Sequence, residues 1–262
     1  MQNGQCESIA MLKTQKSEFE KFLSFLKNGK NFGLARYADG ERLFIEGKQA
    51  TGIDGWTSPP YVGKLGRDLL TALEIATLEK CYIGISDDEN DPASKVFYTN
   101  LLSKTGSEFF TLSNVFVNGT YQAFIDKFLP ILALGNKKVS IICNYKCRCR
   151  DSEVFPPNTK YIYSPSNCAE FWERSSEKWL TFLLDLTKSE TNSIYLFAAG
   201  PVSSVTIPHL WKSNKQNTYI DVGSALDPYL HGRYTRPYQI ESSPESKQLS
   251  ILSIQDDIRY EP

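Results

Sequence analysis

Three short segments of this chain gather residues able to do chemistry. The first is Arg36-Tyr37-Ala38-Asp39-Gly40-Glu41. Two carboxylates one residue apart on a glycine-containing turn can converge on one hard cation, and magnesium or manganese so held keeps open positions for phosphate oxygens. Arg36 beside them can pair with a phosphate or hold a carboxylate in place. The plainer alternative is a helix N-terminus, where Asp and Glu offset the dipole. The second segment, Ala198-Ala199-Gly200-Pro201-Val202-Ser203-Ser204, is a small-residue turn entering a helix. Its exposed backbone N–H groups could hold an anion, and Pro201 equally suits a tight turn with proline at the first helical position. The third, Asp221-Val222-Gly223-Ser224-Ala225-Leu226-Asp227-Pro228-Tyr229, offers two carboxylates, a glycine and a hydroxyl, with Arg233 and Arg236 following. A solvated loop with local Asx turns is the alternative there.

The elements that must position these segments alternate between strand and helix. Helical spacing of Phe19, Phe22, Leu23 and Leu26 predicts a helix over 17–26, and NFGLARY (31–37) reads as a buried strand. Helices are further expected from Arg42, over 62–78, 93–104, 121–134, 169–188 and 203–212. Strands are expected over 81–86, 109–112, 138–143, 160–163, 193–198 and 218–222. Near-continuous apolar strands between helices call for a mostly parallel, Rossmann-like α/β sheet covered by helices on both faces. Ligands of such sheets bind at the carboxyl ends of the strands, where all three segments fall. The chain reads as one α/β domain over 1–262, with a polar, irregular tail from about 233.

Other segments compete. Asp87-Asp88-Glu89-Asn90-Asp91 also follows a strand and could be an acidic metal motif or a solvated loop. Cys143, Cys147 and Cys149 do not match the usual paired zinc-ligand spacing, although the strand-end segment 144–150 could contact substrate, with Lys146, Arg148 and Arg150 as cations toward a phosphate. The loop Trp56-Thr57-Ser58-Pro59-Pro60-Tyr61 could cover a substrate. No Gly-x-Ser-x-Gly elbow occurs, which disfavours a serine hydrolase. His209 and His231, the two histidines, read as ordinary helix or loop residues.

Composition narrows the field. With 29 Lys and Arg against 30 Asp and Glu, the 262-residue chain carries a net charge of −1, which argues against nucleic-acid binding but leaves room for a small cationic pocket. A hydrophobic content of 41% with 23% charged residues excludes a disordered or coiled-coil chain. The polar N-terminus has no apolar core of a secretory signal, and no apolar run is long enough to span a bilayer. A cytoplasmic protein with reduced thiols is expected, with peripheral membrane contact left open; oligomeric state is not legible.

Taken in order, the three segments resemble the GT-D type of glycosyltransferase. Arg36–Glu41 is similar to its Arg-aromatic-small-Asp-Gly-Glu motif, Ala198–Pro201 to its small-small-Gly-Pro turn, and Asp221-Val222-Gly223 to its Asp-Ile/Val-Gly; Asn118-Gly119-Thr120-Tyr121 is similar to a mid-chain motif. Many members have histidine after Asp-Ile/Val-Gly, whereas this chain has Ser224 and then Asp227, a departure that implies a divergent subgroup. The resemblance implies a GT-D-like fold, a nucleotide-sugar donor (a UDP-sugar favoured), a glycan or glycoconjugate acceptor, and a divalent metal, Mn2+ or Mg2+, at Asp39 and Glu41. It implies nucleotide-sugar binding by the motif residues Arg36, Tyr37, Gly40, Gly200, Pro201 and Gly223; Ser224, Arg233 and Arg236, which lie outside the matched motifs, join them as candidates from their place beside the third segment. The candidate catalytic residues are Asp39 with Asp227 or Asp221, either of the last two serving as general base. A noncatalytic nucleotide- or sugar-binding module, or another Rossmann-type transferase such as a methyltransferase, is the rival reading.

Overall fold

The computed structural model describes residues 14–50, 63–87, 91–103, 105, 107–144, 154–241 and 258–259. The first helix, α1 (Gln15–Lys27), starts at a capping box. The Thr14 hydroxyl accepts from the Ser17 amide at 3.1 Å, and the Ser17 hydroxyl accepts from the Thr14 amide at 3.1 Å. Its Phe19, Phe22, Leu23 and Leu26 are buried, and each contributes roughly 2–3 kcal/mol of transfer free energy.

The strands are β1 (Gly33–Tyr37), β2 (Tyr82–Ile85), β3 (Phe110–Leu112), β4 (Lys138–Asn144), β5 (Lys160–Ser164), β6 (Ser193–Ala198), β7 (Thr218–Asp221) and the two-residue β8 (Ile258–Arg259). They form a single sheet in the order β3-β2-β1-β7-β6-β4-β5-β8, and every pairing is parallel. Helices cover both faces, as the apolar strand pattern requires. The remaining helices are α2 (Asp39–Ile45), α3 (Lys64–Leu78), α4 (Pro92–Leu102), α5 (Tyr121–Ala123), α6 (Leu129–Leu134), α7 (Cys168–Thr187), α8 (Pro201–Ser213), α9 (Asp227–His231) and α10 (Pro237–Glu241).

Two apolar clusters, one per face, explain why the strand ends open into a cleft. One face holds α2, α3, α4, α7 and α8 against Tyr37, Ile83, Ile142, Tyr195 and Phe197. The other holds α1, the 115–132 region, Phe155 and α9 against Leu34, Ile141, Leu196 and Ile220. The chain therefore leaves β1, β6 and β5 toward the first face and β7 toward the second. Neighbouring strands send their connections apart, so their carboxyl ends are left uncovered, as at the switch point of open α/β sheets.

Two expected features differ in detail. The helix expected over 121–134 is interrupted by a π-turn at Phe124–Phe128. Pro130 explains it: it has no N–H for the Asp126 carbonyl and its ring crowds that carbonyl, so the preceding turn widens. The tail expected to be irregular from about 233 instead carries α10, and Gln239 within it is fully buried. No helix among the described residues is long and apolar enough to cross a membrane. Trp56–Tyr61, Asp88–Asn90, Cys147, Cys149 and the cations Lys146, Arg148 and Arg150 lie outside the described residues.

Candidate active site

A cavity of about 360 Å³ opens at the carboxyl ends of β1, β7, β6, β4 and β5. Strand alternation delivers its first cation. Along β1, Ala35 and Tyr37 face the α3–α8 cluster, and Arg36 between them turns the other way. Arg36 donates Nε–H to the Ser113 carbonyl, and its Nη1 lies 4.0 Å from Oδ1 of Asp221 at the end of the neighbouring β7. Asp221 also accepts the Gly223 amide at 2.9 Å. Burial pushes the Asp221 carboxyl up to about 6, against the opposing pull of Arg36 and the Gly223 amide. Gly223 has φ +53°, and a Cβ there would stand 1.7 Å from Arg36 Nη1. Glycine at this position satisfies the turn and leaves the guanidinium its space.

The Asp-Gly-Glu turn begins α2. Asp39 is exposed at the cavity mouth and Gly40 lines it. Glu41 reaches back so that its Oε2 accepts the Ala38 amide at 2.9 Å, while the Ala38 carbonyl accepts the Tyr98 hydroxyl at 3.1 Å. The Ser204 hydroxyl donates to the Arg36 carbonyl at 2.5 Å and sits 3.5 Å from Glu41 Oε1, tying α8 to the turn. Burial raises the Glu41 carboxyl to about 7; the Ala38 amide opposes this, and the charges of Asp221 and Asp39 reinforce it. The helix-start reading of this motif holds, and the carboxylate that closes the first turn also lines the cleft.

Across the cleft, Gly200 (φ 61°) turns the chain into α8, with Pro201 at its first position. The helix N-terminus thus meets the cavity, where its dipole favours an anion. Asp227, the first residue of α9, is buried; it accepts the Thr235 hydroxyl and lies 4.0 Å from His231 Nε2 one turn on. Arg236 lines the same wall.

Of the residues singled out from the sequence, the cavity gathers Arg36, Asp39, Gly40, Glu41, Gly200, Pro201, Asp221, Gly223, Ser224, Asp227 and Arg236. Two are placed elsewhere. Tyr37 is fully buried in the core, its single hydroxyl proton shared between the Leu69 and Ser204 carbonyls at 3.2 and 3.3 Å. Arg233 is exposed and does not line the cavity. The structure adds Ser164, Ser166, Cys168 and His231 to the lining. Ser164 ends β5 and Ser166 follows it, at a strand end the motif reading passed over, and the four-residue step from Asp227 to His231 on one helix was the available signal for the histidine. Asn144, the start of the cationic loop considered above, lines the cavity at the end of β4 and donates to the Ser166 carbonyl at 3.3 Å. Among the described residues, no group of three or more His, Cys, Asp or Glu side chains is placed to hold a metal ion.

No family model matches the chain, and no curated protein matches it. Its fold is shared with solved structures. One, of the domain of unknown function 1792 and described as a distinct glycosyltransferase fold, is 17% identical, with 92% of this chain and 93% of that chain covered at a TM-score of 0.55. Another, a glycosyltransferase from Streptococcus sanguinis containing the same domain, is 15% identical with 93% of each chain covered, also at 0.55.

Proposed function

We propose that this protein is a glycosyltransferase that moves a sugar from a nucleotide-sugar donor, a UDP-sugar in the first instance, to a hydroxyl of a glycan or glycoconjugate. The observation that carries this reading is the polarity of the cleft. Two arginines, Arg36 and Arg236, and the N-terminus of α8 share one cavity with the carboxylates of Asp39, Glu41, Asp221 and Asp227. Leaving a diphosphate requires stabilisation of developing negative charge, and an acceptor hydroxyl requires a base within hydrogen-bond reach. The cleft supplies both kinds of group, on a fold shared with proteins described as glycosyltransferases.

In this reading Arg36, held by Ser113 and Asp221, and Arg236 face the diphosphate, and the Gly200-Pro201 turn meets the nucleotide through its backbone. Asp227, with His231 beside it, receives the acceptor proton. Asp221 holds Arg36 and is the lesser candidate for that role. The carboxylates suit a divalent ion that arrives with the diphosphate, because such ions take one or two carboxylates and complete their shell with phosphate oxygens and water. Asp39 at the mouth would hold it, with Glu41 one residue deeper; bound there, it would neutralise charge on the leaving group.

Thermal unfolding tests the reading. UDP with manganese is expected to raise the melting temperature, since at a hundredfold excess over Kd a ligand of the native state adds ~2.7 kcal/mol. Asp39→Asn is expected to remove the manganese-dependent part of that rise while folding normally. No shift with any nucleoside diphosphate, with or without metal, would overturn the proposal.

A further inference from the structure

The segment after α9 is built around one buried amide. Gln239, on α10, is fully buried although the sequence around it is polar. Its Nε2 donates to the Ser224 carbonyl at 2.7 Å. Its Oε1 accepts the Thr235 amide at 2.7 Å and the Arg236 amide at 3.0 Å. One side chain thus clamps the two residues before Pro237 to the wall that follows β7. Around it, the Tyr238 hydroxyl pairs with the Ser224 hydroxyl at 2.7 Å, the Tyr238 ring meets Tyr121 edge to face at 4.9 Å, and the Thr235 hydroxyl donates to Asp227. Arg236 Nη1 donates to the Thr235 carbonyl at 3.1 Å, which turns the guanidinium back along the clamp. Proline at 237 further restricts Arg236 to extended backbone. A buried glutamine normally serves packing, and here its amide bonds go to the backbone of the single arginine this segment presents to the cavity.

We propose that Gln239 is a positioning residue: by tying the Thr235–Arg236 backbone to Ser224, it holds the Arg236 guanidinium at the cavity to meet the diphosphate of the bound nucleotide. The inference rests on the nucleotide-sugar reading of the cleft and adds a residue to it. Gln239 touches no substrate; it acts through Arg236. A charged, fork-shaped donor gains from being fixed before the anion arrives, because less side-chain freedom is lost on binding.

The test is a double-mutant cycle read by calorimetric titration of UDP and, separately, inorganic pyrophosphate into the full chain. Gln239→Ala and Arg236→Met are each expected to weaken binding of both ligands about tenfold, and the double variant is expected to bind no more weakly than Arg236→Met alone. Gln239→Glu keeps the acceptor for the two amides and loses the donor to Ser224; it is expected to fall between wild type and Gln239→Ala, and it serves if the alanine variant does not fold. Binding unchanged in Gln239→Ala or Gln239→Glu, or losses in the double variant that multiply, would overturn the positioning role while leaving the nucleotide reading intact. Wild-type protein that binds neither UDP nor pyrophosphate would overturn both.

Discussion

Replacing Glu41 with Gln separates the cost of its charge from the bond it makes. Burial lifts the Glu41 carboxyl from 4.5 to about 7. Between those values the unfolded chain has released the proton and the folded chain retains it, so stability falls as pH rises through the window and levels off above about 7. Asp221, lifted from 3.8 to about 6, contributes in the same direction over its own window. For Glu41 the interval of about 2.5 pH units converts to an upper bound of ~3 kcal/mol, and the side chain's partial exposure to the open cavity lowers it. Gln resembles the protonated acid and can still accept the Ala38 amide, now 2.9 Å from Oε2. The variant is therefore expected to exceed wild type by ~1–3 kcal/mol at pH 8, a rise of roughly 3–10 °C in Tm for a chain of this size, and to match it near pH 4.5. Urea unfolding at both pH values measures the difference. A variant no more stable than wild type at pH 8, or equally shifted at both, would refute the reasoning. Sugar transfer should fall in the same variant, because the charge that destabilises the fold is one the cleft uses.

Gly223→Ala should cost about 1 kcal/mol in urea unfolding for the left-handed backbone, and should weaken UDP binding at least tenfold by displacing Arg36 from its space. Asp227→Asn is expected to lower kcat at least a hundredfold with the nucleotide Kd little changed, the signature of lost proton transfer; an unchanged kcat would remove Asp227 from that role. Phe22→Ala, a fully buried ring packed against Phe32, Phe116 and the half-buried Tyr82, should destabilise by about 3–5 kcal/mol and leave the nucleotide affinity of the folded fraction intact.

The strands were legible because each is a short apolar run bounded by polar turns; 193–198, for instance, coincides with β6. Their order was not legible. The neighbourhood of β1 and β7, which brings Arg36 to Asp221 across 185 positions of sequence, comes from packing of both faces and leaves no local trace. Within the site, charged residues at strand ends could be read from the chain because a charge there must face solvent or a ligand. Tyr37 could not be placed, because an aromatic at a strand end suits the core as well as a cavity, and pleat alternation sent it inward. Gln239 was hidden for the opposite reason. A polar residue in a polar tail looks solvated, and only the folded chain reveals that its amide is buried against Ser224 and Arg236.

The central claim is tested most directly by incubating the protein with a panel of nucleotide sugars, manganese and a mixture of hydroxyl acceptors, and measuring release of nucleoside diphosphate. The account predicts release from at least one donor, with UDP-sugars foremost, and its loss in Arg36→Met and Asp227→Asn. Release from no donor, or release undiminished in both variants, would contradict it.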